Sequence, residues 1–227
     1  MKTIVVIGGS KGIGKAIVKT FLGTHKVINI SRSSPEESHS NLTHMGCDIL
    51  KDELPEINIM DALVYCPGSI NLKPFTRLSL EDFREDYEIN VIGAVKALHK
   101  YLDVLKKADH PSILIFSTVA SKLGMPYHAS IAASKSGVEG LVKSLGAELA
   151  PKIRINAIAP TVTDTPLASK LLRNEKMVEN IKERHPLKKY LSPKEVAEMA
   201  EFLLSERASS ISGQIFAMDY GIVTFKI

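Results

Sequence analysis

The chain has 227 residues, of which 44% are hydrophobic and 24% charged, and a formal net charge of +4. That length can bury one sizeable core, and the composition is that of a soluble globular protein, which excludes the disordered and fibrous classes. So small a charge gives no footing for nucleic-acid binding, no apolar run approaches membrane-spanning length, and two cysteines, Cys47 and Cys66, suit a reducing cytoplasm better than a disulfide framework.

Residues 2–7 form a β-branched run cut by Gly8 and Gly9. The run predicts a buried parallel strand and is too short for a signal peptide. Helical spacing of apolar residues follows over 15–22, and the next strands are predicted at 26–30 and 62–65. A long helix is predicted from about 80 to 107, then strand 112–117, helix 132–149, strand 154–159, helices 167–183 and 194–204, and strand 214–218. Ser192-Pro193-Lys194-Glu195 supplies the last helix with a cap and a proline at its first position. The alternation implies an α/β chain, one domain over 1–227, built as a doubly wound parallel sheet with helices on both faces.

Between the first strand and the first helix stands Gly8-Gly9-Ser10-Lys11-Gly12-Ile13-Gly14. A parallel sheet needs free backbone amides there to receive a pyrophosphate. Glycines at 8, 12 and 14 depart from the general dinucleotide fingerprint, whose first pair is closer. The spacing resembles the glycine motif of the short-chain dehydrogenase/reductase family, which implies a single-domain Rossmann-type fold. A carboxylate ending the second strand would bind the ribose hydroxyls and repel a 2′-phosphate. Ser31 stands there instead, followed by Arg32, and Lys11 lies inside the glycine turn, so NADP(H) is the expected cofactor. The resemblance extends to Asp48, with Ile49 beside it, as the adenine contact. It places Cys66, Pro67 and Gly68 along the cofactor wall, although the chain reads Tyr65-Cys66-Pro67-Gly68 where the family has Asn-Asn-Ala-Gly.

The same resemblance gives Asn90 the role of the family's helix asparagine, which helps to hold water near the catalytic lysine. Thr118 falls where the family has its catalytic serine, and it keeps a hydroxyl able to donate to a substrate oxygen. Ser117 is the neighbouring alternative, which alternation along a strand turns the other way. Lys135 matches the catalytic lysine. Ile131, one helical turn before it, occupies the position of the catalytic tyrosine and has no proton to give. Tyr127 and His128 lie one turn further upstream and are the candidate replacement donors. Pro160 with Thr161 resembles the family's Pro-Gly turn, and Thr163 and Thr165 match the hydroxyl contacting the nicotinamide side.

Residues 165–190 hold Lys170, Arg173, Lys176, Lys182, Arg184, Lys188 and Lys189 against three glutamates, so the chain's whole positive excess lies in this segment. It is expected to form a lid that favours an anionic substrate. The expected partners are a small-molecule substrate and, as the resemblance implies, further copies in a homodimer or homotetramer. No metal, nucleic acid or membrane is expected. Two functions stay open at this point: an NADP(H)-dependent oxidoreductase acting on a carbonyl or alcohol with a non-standard proton donor, and an NADP(H)-binding redox-sensing or regulatory module without dehydrogenase turnover.

Overall fold

The computed structural model describes residues 1–225. Strands β1 (Thr3–Ile7), β2 (Lys26–Ser31), β3 (Leu42–Gly46), β4 (Ala62–Tyr65), β5 (Ser112–Phe116), β6 (Arg154–Pro160) and β7 (Ile215–Met218) form one sheet in the order β3-β2-β1-β4-β5-β6-β7. Every neighbouring pair is parallel. All five residues of β1 are buried, as a strand covered on both faces requires. Its alternate side chains feed two cores. Val5 and Ile7 pack with Ala94, Leu98 and Val138, while Ile4 and Val6 pack with Ile17, Phe21 and Val196. One core lies under helices α3 (Gly93–Leu105) and α4 (Ala129–Glu148), and the other under α1 (Gly12–Phe21) and α6 (Pro193–Leu204).

Four expectations need correction. Strand β3 went unpredicted because its burial is intermittent and only Leu42 and Met45 are apolar, so an edge strand carries little pattern. The long helix is not continuous. It comprises α2 (Leu80–Tyr87), a π turn over Glu88–Ile92, and α3. Asn90 Nδ2 donates to Asp86 O at 2.7 Å and Tyr65 Oη to Ile89 O at 2.6 Å, so side chains take carbonyls from the helical ladder and open the turn. The helix expected over 167–183 is instead a short 3-10 turn, Pro166–Ala168, followed by irregular chain and then α5 (Glu175–Arg184). Asn174 fixes the later start by accepting from Met177 N at 3.0 Å. Finally, α4 begins at Ala129, three residues before the expected start.

The strand order reverses between β1 and β4, and a crevice opens beyond the C-terminal ends of strands at such a point. Helix α1 enters it close to the sheet. Gly12 has φ +53°, and a Cβ on Gly14 would lie 2.2 Å from Gly8 O. Gly14→Ala is therefore expected to force α1 away from β1, at a cost of about 1–3 kcal/mol as for other overpacking changes. Chemical denaturation of the variant against the parent checks this; equal stability would refute it.

Candidate active site

The crevice has two parts. An outer cleft of about 620 Å³ runs along the ends of β1, β2, β3 and β4, and is lined by Gly8, Ser10, Lys11, Gly12, Ile13 and Gly14, by Ser31 and Arg32, by Asp48 and Ile49, and by Cys66, Pro67 and Gly68. Thr165 closes it from the far side. Helix α1 has no side-chain cap at Lys11 and no acidic residue in its first turn, so its leading amides and the positive end of its dipole face the cleft. Lys11 and Arg32 are both exposed there. The Ser31 hydroxyl is not available to a ligand's acceptor, because it donates to Ser33 O at 3.0 Å. Ser33, which sequence reasoning passed over, reaches across the cleft mouth to Ser10, with Oγ atoms 3.2 Å apart.

An inner cavity of about 180 Å³ adjoins the cleft and shares Ile13, Cys66, Gly68, Thr165 and Leu167 with it. Thr118, His128, Ile131, Lys135, Pro160 and Thr163 line it, as do Ser69, Ser117 and Thr161. Lys135, Pro160 and Thr163 thus face this inner space and not the outer cleft. Helix α4 supplies the centre of the wall, because Ile131, Lys135 and Glu139 recur at four-residue spacing and are all buried. Lys135 Nζ donates to Phe116 O at 2.8 Å, and Glu139 Oε1 accepts from Ser117 Oγ at 2.9 Å. Both bonds fasten α4 to the end of β5.

The two candidate donors separate. Tyr127 has φ +69° and is 59% exposed, so the left-handed turn at this residue swings its ring into solvent and away from both spaces. His128 turns inward. Its Nδ1 lies 2.7 Å from Pro126 O, which can only accept, so Nδ1 carries a proton and Nε2 is left without a protein partner among the described residues. Asn90 is fully buried and contributes to neither lining. It acts through Ser69, whose Oγ accepts from Asn90 Nδ2 at 3.0 Å. Asn90 Oδ1 has no partner among the described residues, and it and Lys135 Nζ lie 3.2 and 3.5 Å from the point a Gly68 Cβ would occupy. The segment expected to form a lid borders the inner cavity chiefly with its apolar side chains. None of the seven basic residues of 165–190 lines the inner cavity, which this segment reaches through Thr165, Leu167, Ala168 and Leu171.

Six hydroxyl side chains line the inner cavity, and their protons can be traced. Ser69 donates to Asp86 Oδ1 at 2.5 Å and Ser117 to Glu139 at 2.9 Å. Thr163 donates to Thr161 O at 3.0 Å and Thr165 to Thr163 O at 3.3 Å. Thr161 Oγ1 is 2.7 Å from His185 Nε2, and His185 Nδ1 is 2.7 Å from Ile181 O. The carbonyl obliges Nδ1 to donate, so in the neutral ring Nε2 accepts the threonine proton. Thr118 differs: its Oγ1 accepts from Ala120 N at 3.4 Å and, among the described residues, has no acceptor for its own proton. Ser117 is thus set aside by Glu139 rather than by strand alternation, since β5 ends at Phe116.

A family model described as enoyl-(acyl carrier protein) reductase matches residues 48–223. The chain belongs to the short-chain dehydrogenase/reductase family. It is 28% identical to the 2,5-dichloro-2,5-cyclohexadiene-1,4-diol dehydrogenase of Sphingobium indicum, over 97% of this chain and 96% of that relative. Among solved structures, the aldohexose dehydrogenase of Thermoplasma acidophilum superposes with a TM-score of 0.90 at 28% identity, covering 99% of this chain and 95% of the other. The structure of ElxO with NADP bound superposes at 0.89 with 26% identity, covering 99% of each chain. The chain is thus a member of an oxidoreductase family with the fold that its sequence predicted.

Burial lowers the pKa of Lys135 to about 8, against opposing influences from Cys66 and Asp86. Burial likewise pushes the Cys66 thiol up to about 12, which makes it a weak nucleophile and a wall residue. Because the lysine's folded-state value lies below its ordinary 10.5, the unfolded chain holds the extra proton between about pH 8 and 10.5. The stability linked to this group therefore rises with pH across that window, and its penalty is present in full below it. Relative to Lys135→Met, the parent is expected to gain unfolding free energy from pH 8 to 10.5; parallel profiles in denaturant titrations would refute the assignment.

Proposed function

We propose that this protein is an NADP(H)-dependent oxidoreductase acting on a carbonyl or alcohol, with His128 giving the proton that the family's tyrosine gives elsewhere. The observation that carries the reading is the junction of the two spaces. The dinucleotide-shaped cleft opens into a cavity where Thr118 alone among the lining hydroxyls has an uncommitted proton, with Lys135 and His128 in the same wall. The uncapped α1 terminus, with Gly12, Ile13 and Gly14, fits a pyrophosphate, and Lys11, Arg32, Ser10 and Ser33 suit the 2′-phosphate. Asp48 and Ile49 border the adenine end; Lys135, Thr163 and Thr165 border the nicotinamide end. When bound, the dinucleotide supplies or accepts the hydride.

In this reading the Thr118 hydroxyl donates to the substrate oxygen and fixes the carbonyl over the junction. His128 serves as the donor in its doubly protonated form: the Nδ1 proton stays bonded to Pro126 O and holds the ring, while the second proton, on Nε2, passes to that oxygen as charge develops there and leaves the neutral ring behind. Ile131 fills the family's tyrosine position with an apolar wall, 4% exposed, which excludes water from the same face. His128→Gln is expected to lower single-turnover NADPH oxidation by about a hundred- to ten-thousand-fold without weakening NADPH binding. An unchanged rate would remove His128 from the role. A parent that binds NADPH yet reduces nothing in a panel of aldehydes and ketones would favour a regulatory, non-turnover module, the reading that the isoleucine itself suggests.

Fluorescence titration is expected to show NADPH bound at least about tenfold more tightly than NADH, with the preference lost in Arg32→Asp. Equal affinities would refute NADP(H) selectivity. We also propose a homodimer or homotetramer through the α2–α3 and α4 faces, a reading supported by the exposure of Leu80, Tyr87 and Ile92. Sedimentation showing only monomer at micromolar concentration would overturn it.

A further inference from the structure

The hydroxyl accounting of the inner cavity reaches beyond the choice of Thr118. A hydroxyl that has given its proton to the protein can only accept from a ligand. Ser69 is in that state twice over, since its proton is held by Asp86 and one of its lone pairs by Asn90, leaving one lone pair for the cavity. Asp86 is 1% exposed, and its other oxygen accepts from Ser130 Oγ at 2.5 Å, so the carboxylate is locked behind the wall by two hydroxyls. Thr161 repeats the arrangement with His185, itself 2% exposed, as the buried acceptor. Ser117 repeats it with Glu139, which also accepts from Ser121 Oγ at 2.5 Å.

Resting on the oxidoreductase reading above, we propose that the substrate carries, beside its reacting carbonyl or alcohol, a second hydroxyl that donates its proton to Ser69. The rest of the lining suits a small, partly apolar body: Ile70, Met125, Ile131, Val162 and Leu171 enclose a volume well below that of a drug-sized pocket. A carboxylate is the wrong partner for this wall. Two buried carboxylates stand behind the hydroxyls, and the basic residues of 165–190 lie outside the cavity, so the anionic substrate expected from the charge of that segment gives way to a neutral hydroxy-carbonyl. The Thr118 proton and the Ser69 lone pair then form a complementary pair, one reading the carbonyl oxygen and the other the distal hydroxyl proton.

Two ketones of nearly equal shape test this, 4-hydroxybutan-2-one and pentan-2-one, which differ by a hydroxyl in place of a methyl. With NADPH, the parent is expected to favour the hydroxy ketone in kcat/KM by at least about tenfold, since a site built around a substrate hydroxyl discriminates against the analogue lacking it. Ser69→Ala is expected to erase most of that preference. Asp86→Asn should shrink it too, because an amide can donate to Ser69 and release the serine proton into the cavity. Equal kcat/KM in the parent, or a preference untouched by both variants, overturns the proposal while leaving the oxidoreductase reading intact. Ligand-observed saturation-transfer NMR with NADP+ present reads binding of the same ketones without turnover. If the parent reduces neither ketone yet binds the hydroxy ketone selectively, the acceptor wall stands and the oxidoreductase reading falls. No turnover together with no selectivity removes both.

Discussion

The close approach of α1 to β1 is the constraint on which the rest of the site depends. With Gly14 against the Gly8 carbonyl, the helix axis comes as near to the strand as backbone atoms allow. Its unpaired amides then point along the crevice rather than into solvent. The strands flanking β1 extend that crevice in both directions. β2 and β3 bring Arg32 and Asp48 to one end, while β4 and β5 bring Gly68 and Thr118 to the other. The residues lining the two spaces therefore gather at the C-terminal edge of the sheet, although they come from segments scattered between 7 and 171. The long-range order is set by strand pairing, and the local aim of each group by the turn that follows its strand.

The two spaces differ in electrical character. The outer cleft carries Lys11 and Arg32 and the positive end of a helix, a surface suited to phosphates. The inner cavity has Lys135 in its wall but Asp86 and Glu139 behind it, each separated from the open space by hydroxyls that it has oriented. Hydroxyls between a carboxylate and a ligand pass on polarity while keeping the charge itself buried and bonded, and a low-dielectric surrounding strengthens each such bond. The lysine is drawn into the same balance, since burial disfavours its charge and Asp86 favours it.

The outer site was legible in the sequence because its signals are local: a glycine turn after an apolar run, and a missing acid followed by Arg32. The inner site was only partly so. Thr118 and Lys135 were found by position, but Asp86, Glu139, Ser69 and His185 look like ordinary polar residues on helices and loops until burial and partners are known. Periodicity held a faint signal for Glu139, which continues the four-residue row of Ile131 and Lys135. Tyr127 and His128 could not be separated by sequence, because one left-handed residue decides which ring turns inward. Charge counted along residues 165–190 says nothing of which side chains face a cavity, and here it is chiefly the apolar ones that do. The interruption of the long helix depends on Tyr65, remote in sequence, reaching the Ile89 carbonyl.

That π turn bears on how the chain can vary in length. A π turn holds one residue more than the α-helical path between the same two ends, and each residue of an α-helix turns the face by about 100°. Deleting one residue of 88–92 would let the chain close an α-helical path between the same two ends, so the apolar stripe of Ala94, Ala97, Leu98 and Tyr101 would keep its face on the sheet. A second deletion would find no such slack and would turn that stripe by about 100° away from the sheet. For descendants of this sequence, the spacing between Asp86 and Ala94 can thus shrink by one residue, and by no more, before the helix loses its seat on the sheet.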